Sequence, residues 1–148
     1  MITLRAAQES DKEQLWRWRN DALTRGMSLT TDEVAWADHC QWFAGVHADP
    51  ERHLLIGVMD ESAVGTVRLD RAGREAEINI TVAPDARGRG MGLALLLAAA
   101  QYARGLDINQ LNAVIRPSNA ASKVIFERAG YRACGADDQV LHYQRALS

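Results

Sequence analysis

The sequence predicts a single α/β domain in which a mixed, mostly antiparallel sheet carries helices on both faces. Hydrophobic periods of two and of about 3.6 residues alternate along the 148 residues in the order βααβββαβαββ. No repeat, low-complexity tract or linker divides the chain, and its length suits one hydrophobic core. The apolar and charged fractions, 47% and 24%, are ordinary for a globular domain.

The first third of the chain contains one predicted strand followed by two predicted helices. Their predicted bounds are 2–5, 10–24 and 31–46. Ser10 is followed three residues later by Glu13, which is a capping-box pattern for the start of the first helix. Gly26 is expected to end that helix, and Thr31 or Asp32 is expected to cap the second.

Three further strands are predicted in the middle of the chain, at 53–59, 63–69 and 77–82. The first two are joined by Asp60-Glu61-Ser62, which is typical of a hairpin. In the third strand polar and apolar residues alternate strictly, so Ile78, Ile80 and Val82 share one face. Pro84 ends this central strand because it cannot donate to a sheet ladder.

The last third alternates helices with short strands. A helix that Gly105 can cap is followed by a strand at 111–115. Pro117 and Ser118 start another helix, which Gly130 stops. Two closing antiparallel strands are predicted at 131–134 and 140–145.

Between the central strand and its helix lies the turn Arg87-Gly88-Arg89-Gly90-Met91-Gly92. Its glycines leave the backbone accessible, and the free N–H groups of the following helix point into the turn with the positive end of the helix dipole. Arg87 and Arg89 add forked donors that suit phosphate oxygens. The pattern predicts a pyrophosphate site, and the alternative is a surface turn with two solvated arginines.

The spacing Arg87-x-x-Gly90-x-Gly92 between a strand and a helix resembles the acetyl-CoA pyrophosphate loop of the GCN5-related N-acetyltransferases (GNAT). Further along, Asn119 opens a helix that ends in Phe126-Glu127-Arg128-Ala129-Gly130-Tyr131, which is similar to the second signature of that family. The resemblance covers essentially the whole chain, with both motifs in the family's order. It implies an acetyl-CoA-dependent N-acetyltransferase that acts by direct attack in a ternary complex, with no metal.

The same resemblance implies where the cofactor lies. The central strand and the next strand splay apart in this family, and the gap exposes Ile80, Thr81 and Val82 to the pantetheine arm. Asn119 is expected to bind the end of that arm, and its alternative role is to cap the helix. Phe126 occupies a cofactor-lining position where many members have a tyrosine that acts as general acid, so that role is vacant or moved.

Amide formation requires a neutral amine, so the enzyme must accept a proton directly or through water. Glu77 is the candidate base because it lies on the polar face of the central strand, where partial burial would raise its pKa. The alternative is an exposed carboxylate paired with Arg68 or Arg74. Tyr143 is the default candidate for the general acid, beside Tyr131.

Substrate choice is expected to depend on the first two helices. The stretches Trp-Arg-x-Arg-Asn-Asp and His-x-x-Trp-Phe resemble the branch that acetylates nucleotide-linked 4-amino-6-deoxy sugars, as in pseudaminic acid synthesis. Arginines can bind a diphosphate and tryptophans can stack on a sugar or base. The alternative is that the tryptophans pack in the core and that the arginines lie on a solvated helix face. The candidate acceptor residues are Trp16, Arg17, Arg19, Asn20, His39 and Trp42.

Two other functions remain open at this level, acetylation of a protein N-terminus and a non-catalytic acetyl-CoA-binding module.

A net charge of −2 argues against nucleic acid or an anionic membrane as the partner, and no apolar run is long enough to span a bilayer. Cys40 and Cys134 form neither a disulfide framework nor a metal-site spacing. The cysteine usage favours a cytoplasmic chain. The resemblance implies a small-molecule amine as the partner, and we expect a monomer or homodimer.

Overall fold

The computed structural model describes residues 2–21, 24, 32–137 and 139–147. The helices in these ranges are α1 Lys12–Asn20, α2 Trp36–Ala48, α3 Met91–Gly105 and α4 Ala120–Arg128. The strands are β1 Thr3–Ala6, β2 Arg52–Met59, β3 Ser62–Ala72, β4 Glu75–Val82, β5 Gln110–Ile115, β6 Arg132–Ala136 and β7 Leu141–Ala146. In the described part, these strands form one sheet in the order β1-β2-β3-β4-β5-β7-β6. The predicted α/β architecture and element order are confirmed.

The start of the first helix differs from the prediction. A 3₁₀ turn at Glu9–Asp11 precedes α1, and the capping pair is Gln8 with Asp11, whose Oδ2 accepts the Gln8 backbone N–H at 2.7 Å. Arg5 donates to the same carboxylate at 2.8 Å and holds the pKa of Asp11 below its ordinary value. Ser10 is therefore not the N-cap, because it lies inside the 3₁₀ turn, whose cap is Gln8 and whose capping carboxylate, that of Asp11, is fixed by Arg5. The predicted end at Gly26 lies outside the described residues.

The second helix begins at Trp36, later than predicted. Asn20 explains the delay, because its side chain both donates to the Val34 carbonyl at 2.8 Å and accepts from the Val34 N–H at 2.7 Å. Backbone groups that are bound in this way cannot enter a helical turn, so Asp32 does not cap α2. The other predicted cap, Thr31, lies outside the described residues.

Helices cover both faces of the sheet, as predicted. Gly57 and Gly65 lie under α3, where an added Cβ would be 2.5 and 2.8 Å from the Leu95 side chain. On the opposite face, Trp42 of α2 lies over Arg68 of β3, with 5.9 Å between the guanidinium carbon and the ring centroid. None of the described helices combines the length and the apolar composition that a membrane-spanning segment needs.

The sheet opens between its central strands. β4 and β5 run parallel but pair only from Glu75 to Glu77 on β4. The Ala83 N–H donates to β3 at 2.8 Å, and alternate residues of an antiparallel strand direct their backbone groups the same way. The backbone groups of Ile80 and Val82 therefore point away from β3 into the gap. This is the splay that the family resemblance implies.

Candidate active site

The turn before α3 has the geometry of an anion site. Gly88 and Gly90 have φ of +77° and +74°, which L side chains rarely adopt, and Gly90 is the N-cap of α3. The first helical bond runs from the Ala94 N–H to the Gly90 carbonyl, at 3.2 Å. The N–H groups of residues 91–93 have no backbone acceptor within the described ranges. They face the turn at the positive end of the helix dipole.

The two arginines of this turn have different surroundings. Arg89 is exposed to solvent. Arg87 is half-buried and donates to the Asp21 carboxylate and to the Thr24 hydroxyl, the latter at 2.8 Å. This contact lowers the pKa of Asp21 below its ordinary value. The guanidinium of Arg87, which we predicted to bind pyrophosphate, thus ties the turn to the residue that follows α1.

If Arg87 can exchange Asp21 for phosphate oxygens, Asp21→Asn should free it. We expect acetyl-CoA to bind about three- to tenfold more tightly to this variant, because a partly exposed ion pair contributes about 1 kcal/mol. Isothermal titration calorimetry measures the change. Asp85→Asn is the control, since it removes a charge near the same turn from an exposed side chain with no bond to Arg87. Equal affinities of Asp21→Asn and the wild type would show that Arg87 stays out of the anion site.

Met91 and Gly92 contribute to this turn through their backbones alone. The Met91 side chain is buried in the core. Gly92 lies against α4, where an added Cβ would be 2.8 Å from Ile125 Cδ1. Its missing side chain therefore allows the two helices to approach, which is a different requirement from the positive φ of Gly90.

Glu77 lies on the polar face of β4 beside a cleft of about 460 Å³, at the point where β4 and β5 begin to separate. Its side chain is exposed, so the expected partial burial is wrong. The alternative ion pair with Arg68 is also not formed, because Arg68 donates to Asp70 at 3.1 Å. Glu77 has no hydrogen bond or ion pair within the described ranges, whereas Glu75 accepts from Asn112 at 2.9 Å.

The aromatic candidates for a general acid are both held by the core. Tyr143 is buried on β7 and donates to Glu127 Oε2 at 3.3 Å. Burial, and then the charge of Glu127, raises the pKa of Tyr143. Tyr131 packs edge-on against Phe126 with 4.9 Å between ring centroids, and burial raises its pKa well above the ordinary value. Tyr143 lines the cleft beside Glu77, but its proton is directed to Glu127.

Asn119 is the N-cap of α4, and its Oδ1 accepts the Ser122 N–H at 3.1 Å. The structure thus places this side chain in the capping role that was the alternative prediction. A role of Asn119 toward pantetheine stays a prediction.

Three of the predicted acceptor residues have structural roles. Trp16 donates through Nε1 to the Val34 carbonyl at 2.7 Å, beside the Asn20 bonds to the same residue. Arg17 is exposed and pairs with Glu13 at 2.6 Å, one turn earlier on α1. This is the solvated face that the sequence left open as an alternative.

Arg19, His39 and Trp42 come together as a cluster. His39 is fully buried; its Nε2 is 2.8 Å from the Lys12 carbonyl and its Nδ1 is 3.0 Å from Arg19 Nη1. The carbonyl only accepts, so Nε2 carries the proton and Nδ1 accepts from Arg19. Burial lowers the pKa of His39, which agrees with this neutral tautomer. The Arg19 guanidinium lies 4.4 Å from the Trp42 centroid.

Arg68 contacts this cluster, although it is not among the candidate acceptor residues predicted from the sequence. Its guanidinium carbon lies 5.9 Å from the same Trp42 ring, on the side of β3 that faces α2. A signal was present, because Thr66, Arg68 and Asp70 alternate with apolar residues along β3 and so share one face.

Comparison with protein families gives a match over residues 1–132 to the model described as an acetyltransferase (GNAT) domain. A curated relative is YwnH of Bacillus subtilis, which is provisionally named a phosphinothricin acetyltransferase. It is 28% identical over 143 residues, which are 90% of this chain and 86% of YwnH.

Two solved structures have the same fold. Spermidine N-acetyltransferase from Vibrio cholerae, in complex with CoA and spermine, superposes with a TM-score of 0.88 at 17% identity, over 99% of this chain and 95% of that one. A provisionally assigned phosphinothricin N-acetyltransferase superposes with a TM-score of 0.84 at 26% identity, over 100% and 99% of the two chains. At 17% identity the first likeness is one of fold alone.

Proposed function

The chain belongs to the GNAT acetyltransferase family and is an acetyl-CoA-dependent N-acetyltransferase, and we propose that its acceptor is a nucleotide-linked amino sugar. The observation that carries the proposed site is the gap between β4 and β5, which opens between Glu77 and the anion-binding turn of α3. A thioester that extends along this gap would reach the base from one side of the sheet. The acceptor would approach from the polar face.

The chain's own groups fit acetyl-CoA along this path. The backbone N–H groups of residues 91–93 and the exposed Arg89 would bind the pyrophosphate. The outward backbone groups of Ile80 and Val82, beside Thr81, would pair with the amides of pantetheine as a further strand does. Phe126 of α4 is buried in the core and would border this path on the α4 side.

The proposed reaction is a direct transfer. The amine nitrogen attacks the thioester carbonyl carbon, a C–N bond forms and the C–S bond breaks. Glu77, directly or through a water molecule, accepts the proton that the amine loses. The electron pair leaves with sulfur as a thiolate, whose ordinary thiol pKa of about 8.5 makes it an adequate leaving group without a positioned acid. The Tyr143 hydroxyl, bound to Glu127, is then not required as a donor.

Glu77→Gln tests the base. We expect kcat to fall about 100-fold at neutral pH with the KM for acetyl-CoA unchanged, since general base catalysis contributes about 10²–10⁴. The loss should shrink toward high pH, where the acceptor amine is deprotonated by solvent. Glu51→Gln, in the exposed turn before β2, makes the same change away from the cleft. Full activity of Glu77→Gln at neutral pH would contradict the assignment.

The acceptor is tested by thiol release from acetyl-CoA with a panel of amines. It contains a UDP-linked 4-amino-4,6-dideoxy sugar, phosphinothricin, spermidine, an aminoglycoside and N-terminal peptides. Phosphinothricin is the second candidate, because two relatives with that provisional name match nearly the whole chain at 28% and 26% identity. A kcat/KM at least tenfold higher for the nucleotide sugar supports the proposal. If the enzyme prefers another amine of the panel, that amine replaces the nucleotide sugar as the proposed acceptor.

A further inference from the structure

Arg19 differs from the other arginines around the acceptor helices. Arg17, Arg52, Arg68 and Arg87 each pair with a carboxylate. Arg19 is half-buried and has no carboxylate partner in the part of the chain that the structure describes. The neighbouring residues 22–31 contain no Asp or Glu. A guanidinium that is partly removed from water without a counter-ion is costly, so its position requires an explanation.

The protein stabilises this cation with neutral groups. The Trp42 ring lies 4.4 Å below the guanidinium, and His39 Nδ1 accepts one of its N–H groups at 3.0 Å. Burial, and then repulsion from Arg68 on the same ring, lowers the pKa of Arg19. His39 is itself fixed by the Lys12 carbonyl, so the orientation of the guanidinium is set before any ligand arrives. Of the five N–H donors of an arginine, this arrangement leaves several for a ligand.

Arg68 connects the cluster to the candidate base along the sheet. Arg68 is opposite Asn79 in the β3–β4 register, and Glu77 is opposite Asp70. Diagonal neighbours of this kind have side chains roughly 7–8 Å apart. Asp70 is paired with Arg52 and Arg68, so the carboxylate that this face offers to an amine is that of Glu77. The Arg19 guanidinium lies further along the same face, on the Trp42 ring that Arg68 also contacts. An acceptor that matches both ends carries an ammonium group and an anionic group.

We infer that Arg19, held by His39 and Trp42, binds an anionic group of the acceptor (a carboxylate, phosphate or phosphinate) while the amine lies at Glu77. The inference rests on the proposed acyl transfer and narrows its acceptors to amines that also carry an oxyanion. Nucleotide sugars and phosphinothricin meet this requirement. Spermidine, which is cationic throughout, does not.

The test uses matched pairs of acceptors with and without the oxyanion. One pair is the UDP-linked amino sugar and the same amino sugar without UDP. The other pair is phosphinothricin and an analogue that lacks the carboxylate and has its phosphinate esterified. We expect Arg19→Gln to lower kcat/KM about 100-fold for the anionic member of the productive pair and less than twofold for its neutral counterpart. Arg19→Lys should recover part of the loss. Arg104→Gln, exposed on α3 across the sheet, controls for net charge.

The outcomes separate this inference from the proposed function. Equal losses on both members of a pair, or spermidine as the preferred acceptor, would overturn the role of Arg19. Absence of transfer to every amine, with acetyl-CoA still bound, would overturn the proposed function instead. In that case calorimetric titration of UDP and of phosphinothricin into the CoA-bound protein decides the inference. Binding that Arg19→Gln weakens at least tenfold supports it, and binding that is absent or unchanged overturns it.

Discussion

Gly90→Asp should abolish acetyl-CoA binding, with a Kd at least about 1000-fold weaker than that of the wild type. An aspartate at this N-cap position would accept the free N–H groups at the start of α3 and place a negative charge where the pyrophosphate is expected. A Cβ meets no atom within 4 Å at this position, so a steric clash is not the cause. Like charges in direct competition for the same donors cost several kcal/mol, and each 1.4 kcal/mol is tenfold in affinity.

The isosteric Gly90→Asn is the control for that variant. Asparagine tolerates the φ of +74° better than most residues and carries no charge. We expect it to weaken binding about tenfold, and we expect thermal unfolding of both variants to remain cooperative. Calorimetry measures the two affinities. Similar losses for aspartate and asparagine would mean that charge is not what excludes the cofactor, and the pyrophosphate site would have to be moved from this turn.

Gly65→Ala should destabilise the fold by about 3 kcal/mol, at the upper end of the cost of overpacking. The added Cβ would be 2.4 Å from the Thr81 carbonyl oxygen and 2.8 Å from Leu95 Cδ1. The first contact is with backbone in the β3–β4 ladder, which cannot rotate away. Relief therefore requires the end of β4, which borders the gap, to shift. We expect weaker acetyl-CoA binding along with the lower stability.

Gly45→Ala is the matched substitution, and we expect it to raise the free energy of unfolding that Gly65→Ala lowers. Gly45 lies inside α2, and a Cβ there meets nothing within 4 Å. The change should stabilise the protein by about 0.5–1 kcal/mol, because alanine loses less conformational entropy in a helix. Urea denaturation followed by circular dichroism measures both variants. A loss below about 1 kcal/mol for Gly65→Ala would show that the sheet yields at this point and that the close approach is not required.

Much of the fold could be predicted because local patterns and tertiary contacts agree. The strict alternation in β4 and the turn at Asp60–Glu61 specify strands and a hairpin without knowledge of the rest of the chain. The helix starts could not be predicted in the same way. Ser10 has a good capping pattern, but Arg5 from β1 fixes Asp11 as the capping partner. Asn20 similarly binds Val34 across 14 residues and delays α2.

The sequence predicted which residues lie at the candidate site better than it predicted what each side chain does there. Backbone features such as the turn at Gly90 follow from local spacing, and the structure has the predicted geometry there. Side-chain roles depend on partners that are distant in sequence: Arg87 meets Asp21 across 66 residues, and His39 meets Lys12 and Arg19. The pairing of Arg17 with Glu13 can be read locally because the two residues lie four apart on one helix, but no local pattern shows that Arg19 has no carboxylate partner among the described residues.

The gap between β4 and β5 has a consequence for the protein's lifetime in the cell. In the proposed binding mode, pantetheine would pair with the unpaired backbone of β4 as a further strand does, and the co-substrate would then complete the centre of the sheet. By mass action, a ligand at 100 times its Kd stabilises the native state by about 2.7 kcal/mol. Proteolysis of this enzyme should therefore slow when acetyl-CoA is well above its Kd and quicken when acetyl-CoA is scarce, so the co-substrate would set the lifetime of the protein that consumes it.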